Sequence, residues 1–478
     1  MRVTLINPPF EDEYSVGSCR SIKYVLNVIP PLGLAYLAGI LRKHGVEVRI
    51  VDYAVEKFSL EAALTGQPDI VGITAATPTF ETAKFLARGI KKLLPNVILV
   101  LGGAHVTAMP HQAIEEDCFD IGVIGEGEVV FLELIRHIEE KKLSGLNAVR
   151  GIIFKDGKES VLTPKRRYVD NLDEIPYPAR DLLPPLSKYK PTPASYKKLP
   201  LGVMITSRGC PQQCTFCDRG VFGNQYRQRS PENVLGEAEE LIYKYGAKEI
   251  RFFDDCFTLN HKRTLQVCSG LKKFKIPWTC LTTVGSVNKE LLYEMRSAGC
   301  WQVLFGLESG DGGILARLKK GATLEMNRTA VKLAKEAGLS VRADFIIGTP
   351  GETEETLNKT LSFALENKLD YAHFNKFVPY PGTRLYQELK DNGYVFNFDK
   401  GSSITDNGEF LYIPESIVRK DYYRDFVNYA HRKFYLRLSY IIKRLISLAT
   451  FTELKGQVKG FFSIVLLGKK DNCAKSHF

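Results

Sequence analysis

Short runs of β-branched and other apolar residues alternate with amphipathic stretches along the first third of the chain. The strand-like runs cover residues 3–7, 46–52, 69–74, 97–101 and 121–124. A helical period appears between them, most clearly over residues 34–44 and 82–94. Strands that alternate with helices predict an α/β domain with a doubly wound parallel sheet. Ligands of such sheets bind at the carboxyl ends of the strands.

The middle of the chain repeats the same alternation six times. Strand signals fall at residues 201–206, 249–253, 279–283, 302–307, 342–347 and 373–378. Helical patterns cover residues 231–245, 261–274, 288–298, 324–337 and 353–367. Six repeats are too few for a closed eight-stranded barrel, so the pattern predicts a partial (β/α)6 barrel, similar to a TIM barrel but open on one side.

The remaining segments set the expected domain boundaries. Residues 143–200 contain a hairpin with an Asp156-Gly157 turn and a Pro-rich linker. The first domain is therefore expected over residues 1–142 and the barrel over 201–390. Residues 391–478 form a basic, mainly helical extension, with helical periodicity over 422–448 and a second apolar-basic stretch over 455–470.

Composition narrows the class of protein. The chain has 478 residues, of which 44% are hydrophobic and 25% charged, as in soluble globular proteins. The first residues lead directly into a strand-like run, and no apolar stretch is long enough for a transmembrane helix, so a cytoplasmic protein is expected. Its ten cysteines are then expected as reduced thiols or metal ligands rather than disulfides.

The net charge of +11 lies largely in the C-terminal extension. Residues 431–478 contain ten Lys or Arg and two acidic residues, so the charge does not predict a nucleic-acid partner. Basic amphipathic helices of this kind can lie on a membrane surface, which would place the protein peripherally at the inner face of the membrane. In the other interpretation, the apolar stripe packs on the barrel and the charges face water.

Three cysteines follow the first barrel strand. Cys210, Cys214 and Cys217 are spaced by four and three residues on a short loop. Soft thiolates in such a cluster suit an iron–sulfur centre, and three ligands leave one iron of a four-iron cluster open. A zinc site fits less well, because structural zinc prefers four ligands and no fourth Cys or His lies nearby in sequence.

The other barrel strands also end in polar residues and glycines. Carboxylates, hydroxyls and glycines of this kind could hold an amine, a ribose and an adenine, or could simply cap helices and form turns. The candidates are Asp254, Asp255, Glu308, Gly348, Thr349 and Glu352. Cys256 is a candidate catalytic thiol because it follows the aspartate pair, and the remaining cysteines are expected to be small buried hydrophobes.

Glycines and small residues also occupy the strand ends of the first domain. Four such loops at one sheet edge favour a large, flat ligand over simple turns. The G-x-G-x-x-G fingerprint is absent after the first strand, which disfavours NAD and FAD. The candidate ligand contacts are Pro8, Thr74, Ala75, Gly102, Gly103, His105, Gly125, Glu126 and Gly127.

The motif Cys210-x-x-x-Cys214-x-Phe216-Cys217 resembles the signature of the radical S-adenosylmethionine (SAM) superfamily. The resemblance implies that the three cysteines ligate a 4Fe–4S cluster whose open iron binds the amino and carboxylate groups of SAM. Reductive cleavage of SAM would then yield a 5′-deoxyadenosyl radical that abstracts hydrogen from unactivated carbon. Phe216 and the polar strand-end residues of the barrel become expected SAM contacts.

The first domain resembles the cobalamin-binding domain of one branch of that superfamily. The resemblance rests on residues 30–38, 101–107 and 124–128, and in the barrel on 229–232 and 252–258. One departure concerns cobalt coordination: residues 52–57, the nearest match to Asp-x-His-x-x-Gly, lack both the histidine and the glycine. His105 is expected to be a hydrogen-bonding residue rather than a cobalt ligand.

The resemblance implies methylation of an unactivated carbon, with the methyl group supplied through cobalamin. A radical oxidative cyclase or rearrangement enzyme without methyl transfer is an alternative, and a non-catalytic cobalamin or cluster sensor is another. The substrate is an unknown small molecule or lipid, such as an isoprenoid. An external electron donor such as a flavodoxin or ferredoxin is expected.

Overall fold

A computed structural model of the protein describes residues 1–9, 28–115, 118–396, 398 and 411–446. The first domain contains the predicted parallel strands in the order β2-β1-β3-β4-β5. Their bounds are β1 (Arg2–Asn7), β2 (Glu47–Asp52), β3 (Ile70–Thr74), β4 (Ile98–Gly102) and β5 (Ile121–Val123). Its helices are α1 (Leu32–Lys43), α2 (Leu60–Ala63), α3 (Phe80–Leu93), α4 (Ala104–Ala108), α5 (Pro110–Glu115) and α6 (Gly127–Lys141). Two apolar cores, one on each face, confirm a doubly wound sheet.

The predicted hairpin extends this sheet instead of belonging to the linker. Strands β6 (Ile152–Asp156) and β7 (Glu159–Leu162) flank the two-residue turn and pair antiparallel to one another. β6 also pairs antiparallel with β5, which makes the sheet seven-stranded. The hairpin covers the β5 edge, because an unpaired edge strand would leave its backbone donors and acceptors exposed.

The middle domain is a partial barrel of six parallel strands in the sequential order β15-β14-β13-β12-β11-β8. The strands are β8 (Leu201–Met204), the short pair β9 (Ser207–Arg208) and β10 (Arg227–Gln228), β11 (Glu249–Phe252), β12 (Trp278–Thr282), β13 (Cys300–Glu308), β14 (Ser340–Ile347) and β15 (Tyr371–Lys376). The helices are α7 (Pro231–Tyr243), α8 (His261–Leu271), α9 (Lys289–Ser297), α10 (Gly312–Arg317), α11 (Leu324–Glu336), α12 (Glu354–Glu366) and α13 (Arg384–Asp391). The barrel therefore has the predicted six repeats and an open side between β8 and β15.

The Pro-rich linker is not fully extended, and it buries side chains between the domains. The Arg180 guanidinium is buried and donates to the Val203 carbonyl of β8 and to the Glu237 carboxylate of α7. Tyr189 donates its hydroxyl to Asp52 at the end of β2, at 2.8 Å. Leu172 and Ile175 pack with apolar residues of α1 and β8. The linker therefore fixes the two domains to each other.

The C-terminal extension contains α14 (Lys420–Tyr435) and α15 (Leu438–Ile446) where the sequence predicted a single helix. The chain turns at Leu436 and Arg437, and the Arg437 guanidinium bonds the carbonyls of Phe434 and Leu365. The buried stripe of α14 packs on the barrel core, which confirms the packing interpretation for this helix. The second basic stretch, residues 455–470, lies outside the described residues. In the described parts of the chain, each helix is too short or too polar to span a bilayer.

Candidate active site

The three-cysteine loop begins directly after the short strand β9. Gly209 precedes the first cysteine with a φ of +83°, and a Cβ there would overlap the Gln225 carbonyl, so the chain needs glycine at this position. Cys210 is half-buried, Cys214 is buried and Cys217 is exposed. The loop therefore brings three thiols to the carboxyl-end mouth of the barrel.

The thiols are close enough to affect each other. Burial raises the pKa of Cys210 and Cys214, and Asp255, Cys256 and Cys214 add smaller contributions to the rise at Cys210. Protonated thiols of this kind become ligands when a metal displaces their protons. Within the described residues, no three His, Cys, Asp or Glu side chains converge on one ion. A four-iron cluster does not require such convergence, because each cysteine binds a different iron.

The aspartate pair after β11 divides into an inner and an outer carboxylate. Asp254 is buried and accepts hydrogen bonds from the Thr206 amide, the Thr206 hydroxyl and the Ser207 hydroxyl, at 2.6, 2.5 and 2.8 Å. Thr206 and Ser207 lead into the cysteine loop, so Asp254 fixes the start of that loop. Its neighbour Asp255 is exposed and lies near the thiols and the Gly209 amide. Of the two predicted SAM contacts, Asp255 is the one that faces the site.

Glu308 ends β13 in a backbone conformation that is unusual for a residue with a side chain. Its φ is +62°, and the register between β13 and β14 shifts between Gly306 and Glu308. Non-glycine residues at positive φ carry strain and often lie at functional sites. The carboxylate bonds Lys320 at 2.5 Å, and Lys320 also lies near Cys214 and Cys217. This ion pair therefore lines the mouth beside the cysteines.

The Gly348–Glu352 loop is held by its own residues and by α14. The Glu352 carboxylate is buried and accepts from the backbone amides of Gly348 and Thr349, and burial raises its pKa to about 7. Gly348 has a φ of +91°, and a Cβ there would overlap the Tyr423 hydroxyl. Thr349 is also buried. The three predicted SAM-contact residues of this loop, Gly348, Thr349 and Glu352, therefore contact other protein groups rather than the open mouth.

The remaining two barrel candidates lie on either side of the mouth. Phe216 packs beside the apolar cluster of Ile314 and Phe377, and the Lys320 ammonium lies 5.9 Å from its ring centre. Cys256 is buried, with its sulfur 3.3 Å from the Ser286 hydroxyl and near two threonine hydroxyls. The Cys256 thiol therefore lies among three hydroxyl groups.

Four buried charges connect the two domains next to this loop. Arg208, two residues before the first cysteine, bonds Glu128 at 2.6 Å and lies 3.5 Å from Glu126. Arg227 binds Glu126 through two bonds of 2.6 and 3.0 Å. All four side chains are at least nine-tenths buried. We call this set the interdomain latch. Glu126, predicted to contact a ligand, thus has two barrel arginines as its partners.

A cleft in the first domain opens beside the latch. It encloses about 150 Å³ between the sheet, α1 and α6, a volume that suits an aromatic ring system. Gly102 faces open space, since no atom lies within 4 Å of the position a Cβ would take. The barrel side contributes Arg208, Val221 and Phe222. Six of the predicted contacts line the cleft: Thr74, Gly102, Gly103, Gly125, Glu126 and Gly127.

Three predicted contacts do not line this cleft: Pro8, Ala75 and His105. The His105 ring stacks on Phe80 and its Nδ1 lies 3.2 Å from the Thr77 hydroxyl. Burial, with a smaller effect of Lys84, lowers the pKa of His105 to about 4, so the ring is neutral. His105 therefore makes a hydrogen bond to the loop after β3 and does not line the cleft.

Comparison with known proteins identifies both domains. A model of the B12 binding domain matches residues 22–135, and a model of the radical SAM superfamily matches residues 204–364. An uncharacterized methyltransferase of Pyrococcus horikoshii is 36% identical over 475 residues, with 97% of this chain and 98% of the relative covered. The chain belongs to the radical SAM family that carries a cobalamin-binding domain.

Two further proteins show how this radical SAM chain relates to its family. The anaerobic magnesium-protoporphyrin IX monomethyl ester cyclase of Cereibacter sphaeroides is 32% identical over 458 residues, covering 91% of this chain and 71% of the relative. The radical SAM methyltransferase TsrM from Kitasatospora setae, solved with cobalamin and a [4Fe-4S] cluster bound, aligns with a TM-score of 0.71. That alignment is 16% identical and covers 97% of this chain and 99% of TsrM, so it shows a shared fold.

The family determines the cofactors of this methyltransferase-like radical SAM enzyme: a 4Fe–4S cluster, SAM and cobalamin. The cysteine loop supplies the three thiols that a cluster needs, and the cleft lies at the carboxyl ends of the first-domain strands, where such sheets bind ligands. Sequence reasoning missed Arg208 and Arg227, which connect the two sites, and Lys320, which pairs with Glu308 beside the cysteines. The position of Arg208 beside the cysteine motif was the available signal, but its partners lie about eighty residues earlier in the chain.

Proposed function

We propose that this enzyme methylates an unactivated carbon of a small molecule at the barrel mouth. Cys210, Cys214 and Cys217 hold the cluster, Asp255 and Glu308 contact SAM, and the first-domain cleft holds cobalamin. When bound, the cluster and SAM supply a hydrogen-abstracting radical and cobalamin carries the methyl group. The observation that carries the proposal is the interdomain latch, because it places the cleft loop against the cysteine loop.

The residues around the mouth would each have a separate task. Asp254 holds the loop backbone so that the three sulfurs keep one arrangement. Lys320 offsets the negative charge that three thiolates would bring to a partly buried site. The small residues of α4 and the glycines at 220 and 382 let the two domains approach closely over the mouth: Ala108 lies 3.1 Å from the Cβ position of Gly382, and Thr107 lies 3.1 Å from that of Gly220. Close approach there would limit the access of water to the reacting groups.

The test is anaerobic reconstitution and reduction, followed by assay for 5′-deoxyadenosine and for transfer of an isotopic methyl group from SAM. Cys214→Ala should lose the cluster absorbance, whereas Cys268→Ala, which replaces a buried thiol of the outer barrel core, should retain it. A fully loaded Cys214→Ala variant would contradict the ligand assignment. Failure to form any 5′-deoxyadenosine would favour the non-catalytic sensor.

A radical cyclase is the second candidate, supported by the 32% identity to the Cereibacter sphaeroides cyclase. The same labelling experiment separates the two functions. A methylase places the label of SAM in the product, and a cyclase gives an unlabelled product that has lost hydrogen. Label in the product would exclude the pure cyclase.

Two partners belong to this proposal. The cluster needs an external one-electron donor such as a flavodoxin or ferredoxin. Membrane contact is supported by α15, where Leu438 and Ile442 are 73% and 48% exposed next to a basic helix. We expect co-sedimentation with anionic vesicles that weakens when both residues are changed to Asp. The same change at the exposed Phe85 of α3 serves as the control, and equal binding by all variants would refute the contact.

A further inference from the structure

The interior of the barrel is lined by charged side chains. On β11, Ile250 and Phe252 point outward into the helix-facing core, so Arg251 between them points inward. On β14, Arg342 and Asp344 likewise alternate with outward-facing apolar residues. Barrel interiors of this type are usually filled with apolar side chains, so a charged lumen needs an explanation.

These charges interact across the lumen. Burial and the nearby Arg342 lower the pKa of Arg251 to about 10, and Asp344 opposes that change. β11 and β14 are separated by β12 and β13 in the sheet, so the side chains can only meet through the interior. Glu249 on the same face of β11 is the remaining neighbouring carboxylate, and its oxygens accept from the Lys197 and Lys198 amides and the Trp301 indole.

Arg342 has protein partners for both terminal nitrogens of its guanidinium. It donates to the Ser195 hydroxyl at 3.0 Å and to His373 Nδ1 at 2.8 Å, while its buried Nε makes no hydrogen bond to a described residue and lies 3.6 Å from Asp344 as an ion pair. Ser195 belongs to the linker, which closes the amino-terminal end of the barrel there. Arg342 is therefore a structural part of that closure.

Arg251 differs in this respect. Among the described residues, no hydrogen bond or ion pair within 4 Å involves its guanidinium, and its Nη1 is buried without a partner. The Phe253 ring, whose centre is 4.6 Å away, is its packing contact. A guanidinium nitrogen that is buried without a hydrogen-bond acceptor costs stability, so Nη1 of the partly buried Arg251 is available for a ligand.

The lumen around Arg251 contains open space. Asp344 and His373 both face it and keep 29% and 26% of their side-chain surface exposed. Toward the mouth, Asp344 lies near Lys320, which in turn lies near Cys214. Charged side chains therefore lie between the cysteine loop and Arg251.

We propose that Arg251 binds an oxyanion of the substrate, a carboxylate, phosphate or phosphonate, inside the barrel below the cysteine loop. This inference rests on the proposed function, since it names the substrate class of that same site. A guanidinium matches such oxyanions through two parallel hydrogen bonds. The anionic end of the substrate would lie deep in the lumen and the reacting carbon nearer the mouth. A lipid that enters hydrocarbon end first would leave the guanidinium unpaired and is excluded.

The experiment uses the anaerobic holoenzyme with cluster, cobalamin and saturating SAM, so that SAM cannot be the anion detected. Acetate, inorganic phosphate and methylphosphonate are titrated at constant ionic strength against sodium chloride, with melting temperature and calorimetric affinity as readouts. We expect at least one oxyanion to stabilise the wild type, and the tightest of the three identifies carboxylate or phosphorus oxyanion as the natural group. Arg251→Met should weaken this binding at least tenfold, and Arg251→Lys should weaken it less.

The matched control is Arg328→Met, because Arg328 also lies over a phenylalanine ring, Phe363, but on the outer helix α11. It should bind the oxyanions as the wild type does. Without anions, Arg251→Met should melt at or above the wild-type temperature, since a buried nitrogen without an acceptor is removed. Equal anion binding by wild type and Arg251→Met, no oxyanion binding by the wild type, or a lower melting temperature of Arg251→Met without anions would each overturn the proposal. Formation of 5′-deoxyadenosine by the wild type tests the proposed function separately.

Discussion

Substitution by Asn should affect the two adjacent aspartates after β11 differently: at Asp254 it should lower stability, and at Asp255 it should weaken SAM binding. Asp254 accepts three hydrogen bonds from Thr206 and Ser207, whereas Asp255 is exposed beside the thiols. In Asp254, one carboxylate oxygen accepts from the Thr206 amide and the other from the two hydroxyls. Asn has a single acceptor oxygen, so Asp254→Asn can keep the bonds of only one of these oxygens. Hydrogen bonds to a charged group contribute about 1.5–3 kcal/mol each. Losing one to two of them should cost about 3 kcal/mol.

For a domain of the size of this barrel, that cost corresponds to a melting temperature lower by about 6–12 °C. Asp254→Ala leaves all three donors without an acceptor and should be more destabilising than Asp254→Asn. Because Thr206 lies four residues before the first cysteine, cluster retention after reconstitution should fall with stability. Iron content after gel filtration and the melting temperature of the apo protein measure the two effects.

Asp255→Asn should leave the free energy of unfolding within about 0.5 kcal/mol of the wild type, as for other exposed positions. It should instead weaken SAM binding to the reconstituted protein, measured by equilibrium dialysis. An Asp254→Asn protein that melts with the wild type would refute the anchoring argument. An Asp255→Asn protein that loses stability but binds SAM normally would refute the division of roles.

Two further predictions concern buried contacts outside the mouth. Glu237 lies between two buried arginines, Arg180 and Arg229, so Glu237→Gln should cost about 3–5 kcal/mol at neutral pH. Burial alone would raise the pKa of Glu237, but the two arginines hold it below its ordinary value. The stability that the ionised carboxylate contributes is therefore lost as it protonates at acid pH. The difference in stability between Glu237→Gln and the wild type should shrink below about pH 4. A pH-independent difference in melting temperature would contradict this reasoning. Gly348→Ala should be strongly destabilising, and Tyr423→Phe in the same chain should recover part of the loss because the hydroxyl is the nearest of the three Tyr423 atoms that a Cβ would overlap. No recovery would show that the remaining ring atoms and the positive φ account for the loss.

The periodicity of the sequence predicted most strands and helices because each domain repeats one burial pattern. Strands β1 to β5 and the six long barrel strands begin and end within a few residues of the predicted runs. The break between α14 and α15 was not predictable, since the apolar period continues through Leu436 and Arg437. The chain turns there so that Tyr435 and Tyr440 can bond the backbone around β15, which is a tertiary effect.

The position of the cysteine loop at the barrel mouth was predictable, because the three cysteines lie close together in sequence directly after a predicted strand. The site was less predictable where one residue type serves two purposes. Glu352 and Asp254 looked like ligand contacts because they follow strands, yet both accept hydrogen bonds from neighbouring loops. Sequence position cannot distinguish a carboxylate that faces a ligand from one that faces the backbone, because the strand end supplies both environments.

The latch adds a constraint on how the two domains can move. Its four side chains are at least nine-tenths buried, and breaking one such pair costs about 3–5 kcal/mol because a charge is left unpaired in the interior. Opening the domains along this face would break the pairs of Arg208 and Arg227 together. The cleft loop and the cysteine loop should therefore keep one relative position during turnover. Substrate would then have to enter from the side of the exposed Asp255 and Cys217, away from the latch.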